Sequence, residues 1–364
     1  MRASIAVEVG ERWLKIMVGR QGAPQCLVRP VQGFSDEQIT QALTAAFKEL
    51  KVKPRPVALC LPRNQVTVRN LHLPSQDPKE IAQMIELNIV RMVPYRKEEI
   101  LSNYRLLGVD DIGYSKVMLA IVHRDLVKRH AGILEAAGLS VERVSLSSHS
   151  AWQWMVARHG NAVGEGDLVV LLDLDAAYTD FLLCSRKALF FSRSIAIEAE
   201  QLTDEAGLAR LLNEINQSLE IFQNEEMNRR PAKVFIAGAE MAMPMLEKAI
   251  KEGLNLPVTR VASPVKSRPE APGPAASCSL NALAQLIAGD PAQELGFVLP
   301  EIQIRQSLKE KTRELILIGS LGLYVIIALM GFFMSRLHHQ QTYLTQLQQR
   351  SQAVEQESGD LVTQ

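Results

Sequence analysis

Short apolar runs alternate with amphipathic stretches along the first half of the chain. Apolar runs bounded by turn residues predict β-strands, whereas apolar residues spaced three and four positions apart predict helices. The predicted strands are residues 4–9, 14–18, 25–28, 57–61, 66–73, 101–107, 116–122 and 141–146. The predicted helices are residues 36–50, 78–93, 125–137 and 151–158. This pattern indicates a mixed α/β fold.

A glycine-rich break at residues 160–166 predicts a domain boundary. We therefore expect a first lobe over residues 1–160. Within it, residues from about 75 to 146 follow the order helix, strand, strand, helix, strand. That order predicts a small inserted α+β subdomain, with helices on one face of a small sheet.

The order of elements restarts after the break. The predicted elements are strands at 168–173, 179–184 and 188–192, a helix across 208–222, a strand at 233–237 and helices at 241–252 and 280–287. Three strands followed by helix, strand and helix also open the chain. The repetition predicts an internal duplication, with a second lobe over residues 167–290.

Residues 315–334 form a segment of twenty residues without a charged side chain. A helix of that length reaches about 30 Å, the thickness of a bilayer's hydrocarbon core. A buried globular helix is the alternative, but such helices rarely run this long without a polar face. Basic residues crowd the N-terminal flank at Arg305, Lys309, Lys311 and Arg313. The positive-inside rule predicts a cytoplasmic N-terminal body, and in a bacterium with two membranes this means an inner-membrane span and a periplasmic tail.

Residues 335–364, after the span, carry apolar side chains at heptad spacing among many glutamines. They are Leu337, Leu344, Leu347, Val354 and Leu361. The spacing predicts a short coiled coil, and a helical continuation of the span that frays in water is the alternative. Small residues in the span favour packing against a second helix, and so suggest a homodimer. They are Gly319, Gly322, Ala328 and Gly331.

Charge and cysteine content exclude several function classes. Forty Lys and Arg balance forty Asp and Glu, so the chain lacks the basic character expected of a nucleic-acid-binding protein. Its four cysteines lie far apart, at positions 26, 60, 184 and 278. That spacing predicts neither a zinc cluster nor a disulfide framework, and we expect no metal site.

Several phrases of the chain occur in a recognisable order. They are residues 5–18, Val57-Ala58-Leu59-Cys60-Leu61-Pro62, Leu71-His72-Leu73-Pro74, the helix ending in Val93-Pro94-Tyr95, and residues 134–139, 168–173 and 234–238. In this order and spacing they resemble the PilM family of bacterial pilus-assembly proteins. That family shares an actin-like fold with the cell-division protein FtsA. The resemblance implies an actin-like, ribonuclease H-like fold of two lobes over residues 1–290.

A second resemblance covers the phrase Phe297-Val298-Leu299-Pro300, which basic residues and the span follow. This arrangement resembles the start of PilN, the membrane partner of PilM. It implies that the phrase binds a partner from within a cytoplasmic linker over residues 291–314. A linker with incidental apolar residues is the alternative. The fusion of both parts in one chain also resembles GspL of type II secretion systems.

Actin-like proteins hold nucleotide phosphates between two slim hairpin loops. By resemblance, the nucleotide-binding positions here would be Gly10, Lys15, Asp173, Thr179 and Gly238. However, Glu11, Arg12 and Trp13 replace the small residues of the first loop. Asp175 stands where the family carries glycine in the second loop. Crowding and like-charge repulsion predict weak or absent ATP binding, so we expect no cofactor and no enzymatic activity.

Together these features predict an inner-membrane scaffold of a type IV pilus assembly machine. The resemblance implies an assembly ATPase and a platform membrane protein as cytoplasmic partners, and a PilO-like protein as the periplasmic partner. A GspL-like component of type II secretion is one alternative. A membrane-tethered actin-like ATPase is another. A membrane-anchored filament of the FtsA type is less favoured, because FtsA uses an amphipathic helix and not a span.

Overall fold

The computed structural model describes residues 5–19, 24–53, 55–225, 229–240, 243–264, 278–301, 312, 319–320, 322–336 and 341–351. The chain divides into two compact units, Met1–Ile302 and Gln303–Gln364. The described strands are β1 (Ile5–Val9), β2 (Trp13–Val18), β3 (Gln25–Pro30), β4 (Val57–Leu61), β5 (Thr67–Leu73), β6 (Ile100–Val109), β7 (Ser115–His123), β8 (Val141–Leu146), β9 (Val169–Leu174), β10 (Thr179–Cys184), β11 (Leu189–Ile195), β12 (Lys233–Gly238), β13 (Val258–Arg260) and β14 (Gly296–Phe297). The described helices of the first unit are α1 (Asp36–Glu49), α2 (Pro78–Met92), α3 (Arg124–Ala136), α4 (Ser147–His159), α5 (Glu205–Glu225), α6 (Met243–Leu254) and α7 (Asn281–Ala288).

Two sheets of the first unit share one topology. The order of the first is β14-β8-β4-β1-β2-β3, and that of the second is β11-β10-β9-β12-β13. In each, three antiparallel strands are followed by two strands that run parallel to the first of them. The internal duplication predicted from the sequence is therefore confirmed in the order and direction of the strands. This two-lobed α/β arrangement fits the actin-like fold that the resemblance implied.

The central strands β1, β4, β9 and β10 are buried at every residue. Helices begin where the sequence supplies a cap. The Ser35 side chain accepts from the Gln38 backbone N–H, and the Gln38 side chain accepts in return from the Ser35 N–H, which starts α1. Asp77 caps α2, and Pro78 occupies its first turn, where a missing N–H does no harm.

A third, three-stranded sheet has the order β5-β7-β6 and forms the inserted subdomain. Helix α2 packs Ile81, Ile85 and Ile89 on this sheet. The strands of the subdomain thus run from Thr67 to His123, and not over the predicted residues 75–146. Strand β8 pairs with β4 of the first lobe instead, because Val144 and Leu146 are buried in that lobe's core.

The end of the first unit returns to the first lobe. Helix α7 packs on α4 and on strands β1, β2 and β4. The side chains of Leu283, Leu295, Phe297 and Leu299 join the hydrophobic core of the first lobe. The second lobe therefore ends before α7, earlier than the predicted limit at residue 290, because these apolar side chains are buried on the other sheet.

In the second unit, the described residues include one helix long and apolar enough to cross a membrane, Gly322–Ser351. It is described at residues 322–336 and 341–351, and none of its apolar window is buried. Of the predicted span, residues 315–318 and 321 lie outside the described residues. Of the predicted heptad positions, Leu344 and Leu347 lie on this helix and are exposed. The other three fall outside the described residues, as does half of the predicted linker.

Candidate functional site

Two β-hairpins face each other across a cleft between the lobes. The first joins β1 to β2 and the second joins β9 to β10, so each hairpin opens the sheet of its own lobe. The cleft has a volume of about 310 Å³. We call it the hairpin cleft, and its charged or polar walls include Glu8, Glu11, Arg12, Lys15, Asn64, Asp175 and Glu198. This is where an actin-like protein would hold nucleotide phosphates.

Lys15 closes the floor of the hairpin cleft. Its Nζ lies 2.7 Å from Glu8 Oε1 and 2.6 Å from Asp175 Oδ2. Glu8 is the cross-strand partner of Lys15 in the first sheet, whereas Asp175 belongs to the second lobe. All three side chains are buried. Burial opposes the charged ammonium, but the carboxylates of Asp175 and Glu8 outweigh it and raise the pKa of Lys15 well above its usual range.

Both carboxylate oxygens of Asp175 accept hydrogen bonds from the protein. Oδ2 accepts from Lys15, while Oδ1 accepts the backbone N–H of Ala176 at 3.0 Å and of Ser279 at 2.9 Å. Ser279 lies just before α7, so the segment that returns to the first lobe also holds the second hairpin. Groups of both lobes therefore bond to the Asp175 carboxylate, which contacts the Lys15 ammonium. A phosphate bound in the cleft would have to contact the same ammonium.

The predicted residue Gly10 lies in the hairpin cleft, but its amide is already in use. Its N–H donates to the carbonyl of Trp13 at 3.0 Å, which closes the turn of the hairpin. A Cβ at this position would lie 3.0 Å from the same carbonyl oxygen, so the turn favours glycine. Of the five predicted nucleotide-binding residues, Gly10 and Lys15 line the cleft and the other three do not.

Asp173, Thr179 and Gly238 serve the structure around the hairpin cleft. Asp173 Oδ1 accepts from Ser279 Oγ and from Asn281 Nδ2, both at 2.7 Å, and burial raises the pKa of Asp173 to about 6. The hydroxyl of Thr179 donates to the carbonyl of Ile197 at 3.0 Å. Gly238 has φ +92°, and a Cβ there would lie 2.1 Å from the carbonyl oxygen of Leu174. The polar groups of Asp173 and Thr179 thus bond to groups of the protein itself.

Arg12 and Glu198 join the lobes at the rim of the hairpin cleft. Their side chains form an ion pair with an N···O distance of 2.5 Å, and both are about one-third exposed. Such a partly solvated pair contributes at most about 1 kcal/mol. The buried Lys15 cluster is therefore the principal polar contact that fixes the two hairpins to each other.

The phrase singled out near the end of the first unit lies on the edge of the first sheet. Strand β14 pairs antiparallel with β8, so that Phe297 lies opposite Val144. Phe297 and Leu299 are buried, whereas Val298 between them is 57% exposed. This alternation is that of an extended peptide with one face on the protein. Pro300 follows as the first residue of a helical turn.

Polar contacts hold this peptide along its length, and we call residues 290–301 the strap. Asn103 Nδ2 donates to the carbonyl of Gly296 at 2.6 Å. Glu294 lies 3.0 Å from Arg143 Nε and accepts from the hydroxyl of Ser145. Glu301 pairs with Arg124 at 2.8 Å. Sequence patterns did not identify these partners, although a glutamate amid apolar residues is a signal that a cation lies nearby.

Comparisons with known proteins agree with the geometry. A family model for type IV pilus assembly protein PilM matches residues 29–207. A solved PilM–PilN type IV pilus biogenesis complex superposes with a TM-score of 0.64 at 17% identity, over 79% of this chain and 98% of that one. No curated protein sequence matches the chain significantly.

Two further solved structures are less similar. One is a protein of actin-like ATPase fold and unknown function from Bacteroides thetaiotaomicron, with a TM-score of 0.47 at 12% identity over 79% of this chain and 96% of that one. The other is the cytoplasmic domain of EpsL, an inner-membrane component of the type II secretion system of Vibrio cholerae, with a TM-score of 0.42 at 11% identity over 78% and 94%. The chain is therefore similar to type IV pilus assembly protein PilM over residues 29–207 and shares the fold of the solved PilM–PilN complex.

Proposed function

We propose that the chain is an inner-membrane scaffold of a type IV pilus assembly machine and does not turn over nucleotide. The observation that carries this proposal is the buried contact of Lys15 with Glu8 and Asp175, which joins the two lobes where a nucleotide would bind. A scaffold needs its lobes fixed to each other. An ATPase needs them free to open around a ligand.

Binding of Mg-ATP would have to displace this contact. A phosphate at the hairpin cleft would meet the carboxylates of Glu8 and Asp175 and a lysine that both already neutralise. Pulling one partner from a buried ion cluster leaves an uncompensated buried charge, at a cost of about 3–5 kcal/mol. The amide of Gly10 would also have to leave the Trp13 carbonyl. These costs oppose nucleotide binding.

The candidate span supports a membrane tether. Four basic residues precede residues 315–334 within ten positions, and Arg336 is the close basic residue after it. The proposed orientation is therefore a cytoplasmic first unit and a periplasmic C-terminal tail. Protease added to intact spheroplasts should cut the tail and spare the first unit. Digestion of the first unit from outside would contradict this orientation.

The strap supports a role for Phe297, Val298, Leu299 and Pro300 as a PilN-like peptide supplied by the same chain. The similar solved structure is a complex of PilM with PilN. Here an extended apolar peptide lies on the first lobe and precedes the candidate span in the sequence. By this proposal the strap links the first unit to the membrane, where it either transmits force to that unit or fixes its position. The assembly ATPase, the platform protein and a PilO-like protein are its proposed partners.

A disulfide test distinguishes a strap on its own lobe from a strap on a neighbour's. Val144→Cys and Phe297→Cys place two thiols on directly opposed residues of an antiparallel pair, within the reach of a disulfide. We expect oxidised monomers in membranes. A disulfide-linked dimer would assign the strap to a neighbouring copy. The pair Val144→Cys and Val298→Cys is the control, because the Val298 side chain points to solvent.

Deletion of the chain in its host tests the proposed machine. Loss of surface pili with normal protein secretion, restored by the wild-type chain, is the expected result. Loss of secretion with normal pili would instead favour a GspL-like component of type II secretion, an alternative suggested by the fusion of body and span. Normal pili and normal secretion would reject both.

A further inference from the structure

A second cleft lies between the inserted subdomain and the second lobe. It has a volume of about 300 Å³, at the lower end of the range for ligand pockets. Strand β5 forms one wall and the edge strand β11 the other, with one side chain from α5. We call it the arginine cleft, and its lining includes Arg63, Val68, Arg69, Phe191, Arg193 and Ile221.

Arg63 lies at the base of the arginine cleft and is 9% exposed. Its Nε donates to Ser192 Oγ at 2.8 Å, Nη2 to the Ser192 carbonyl and Nη1 to the Val66 carbonyl, both at 2.6 Å. A guanidinium has five N–H groups, so two remain without an acceptor among the described residues. All three acceptors are uncharged. Among those residues no carboxylate lies within ion-pair distance of this buried cation.

Neighbouring charges leave the cleft positive. Burial lowers the pKa of Arg63 to about 10, so the guanidinium stays charged at neutral pH. Asp180 is the acidic group that acts on the charge of Arg63. Burial raises the pKa of Asp180 to about 8, so its carboxyl is largely neutral at pH 7. Arg193 is compensated by Glu214 at 2.8 Å. Arg69 is exposed and has no ion pair within the described part of the chain.

The walls of the arginine cleft are apolar. Val68, Phe191 and Ile221 line it beside the arginines, and Ile221 is 43% exposed on a helix whose other face is in the core. The cleft therefore combines guanidinium groups, which match a carboxylate, with an apolar surface that a small inorganic anion would not use. Asn70 and Arg63 cap the β11 carbonyls at Phe190 and Ser192, so a new strand cannot pair there. Recognition must come from side chains.

We propose that the arginine cleft binds an acidic side chain, flanked by an apolar residue, on a peptide segment of a partner protein. The carboxylate takes the free N–H groups of Arg63 and approaches Arg69, while the apolar neighbour packs on Phe191 and Ile221. This interaction surface is separate from the hairpin cleft, the strap and the span. Its failure would leave the proposed scaffold function untouched.

The test uses the full chain in nanodiscs of zwitterionic lipid and a fluorescent hexapeptide of alternating Glu and Leu. Saturable binding by anisotropy is expected. Arg69→Glu should weaken it by about tenfold or more, since it reverses the exposed charge. Arg91→Glu is the matched control on exposed α2 of the same subdomain and should bind like the wild type. Ile221→Ser should weaken binding of the Glu-Leu peptide.

Four results would overturn the proposal. One is absence of binding by the Glu-Leu peptide. Another is equal binding by wild type and Arg69→Glu. The third is equal competition by inorganic phosphate or by a Glu-Ser peptide at matched ionic strength, which would assign the cleft to any anion. Equal binding of a Lys-Leu peptide would likewise reject a carboxylate site. Because Arg69 is exposed, its substitution leaves the fold intact, and unchanged unfolding of the variant verifies this.

Discussion

Two clefts border the second lobe, one facing the first lobe and one facing the inserted subdomain, and their charges are balanced in opposite ways. In the hairpin cleft the buried cation Lys15 meets two carboxylates at 2.7 Å or less. In the arginine cleft the buried cation Arg63 meets only carbonyls and a hydroxyl. A fully compensated cation holds lobes together. A cation without a counter-ion leaves affinity for a ligand.

The difference between the two clefts lies in their side chains and not in the strands that surround them. Asp175 of the second lobe contacts Lys15 of the first lobe at 2.6 Å across the hairpin cleft. By our proposals a partner would instead bind where β5 and β11 approach each other. Function in such a fold depends on a few side chains at the interface and not on the sheets.

Removal of the cation of the hairpin cleft should have the largest effect. Lys15→Met leaves Glu8 and Asp175 buried without a counter-charge, so we expect a loss of about 3–5 kcal/mol in the free energy of unfolding. Urea unfolding of the full chain in detergent, followed by tryptophan fluorescence, measures it. Lys187→Met is the control, because that lysine is 83% exposed and its loss should stay within about 0.5 kcal/mol. Equal losses would show that the buried cluster does not fix the lobes.

Substitution of Gly238, which packs against Leu174 at the start of the second hairpin, should have a smaller effect. Gly238→Ala places a Cβ 2.1 Å from the carbonyl oxygen of Leu174, next to Asp175, at φ +92°. The left-handed backbone costs about 1–2 kcal/mol, and the overlap adds about 1–3 kcal/mol. Gly166→Ala has nearly the same φ, +89°, with nothing within 4 Å of the new Cβ, and should show the backbone cost alone. A difference of less than about 1 kcal/mol between the two variants, measured by the same unfolding assay, would reject the crowding.

The pH dependence of stability should show the smallest effect, and it concerns Asp180 beside the arginine cleft. Burial raises the pKa of Asp180 from 3.8 to about 8, and Ser194, Asp173, Arg63 and Asp175 are the groups that face it. The unfolded carboxyl has already lost its proton at neutral pH while the folded one keeps it. The free energy of unfolding should therefore fall as pH rises between 6.5 and 8, by on the order of 1 kcal/mol per pH unit.

The two buried histidines do not change this window. Burial lowers the pKa of His130 to about 4 and of His149 to about 3. These histidines therefore lower the free energy of unfolding mainly below the unfolded pKa of 6.5, where the unfolded chain takes up protons that the folded protein does not. Asp180→Asn, which keeps the shape and removes the titration, should flatten the profile between pH 6.5 and 8. An identical slope in wild type and variant, from unfolding at several pH values, would contradict a protonated Asp180.

Local patterns predicted most elements and the duplication. Apolar runs identified the strands of both lobes because their central strands are buried throughout, as in β1 and β9. Helix α4 was predicted too short, because its start at Ser147 is built of buried serines that give no apolar periodicity. The limits of the inserted subdomain were missed because β5 and β8 look alike in sequence. Only their pairing partners, far along the chain, separate them.

The sequence predicted which residues lie at the hairpin cleft, but not which of them contact each other. The sequence identified Lys15 and the unusual Asp175, yet the contact between them spans 160 residues and leaves no local signal. Asp173 and Thr179 were predicted near phosphates, but they bond to Ser279, Asn281 and the backbone of Ile197. Arg63 was missed altogether, because a buried arginine between two strands has no characteristic spacing.

Lys15 joins the two lobes at the hairpin cleft, and we expect this contact to exclude nucleotide. Titration of Mg-ATP into the full chain in nanodiscs, by calorimetry, tests it most directly. We predict no saturable binding at millimolar nucleotide, and the same result without magnesium. Magnesium-dependent binding in the micromolar range, lost in Lys15→Met, would contradict the claim and favour a membrane-tethered ATPase.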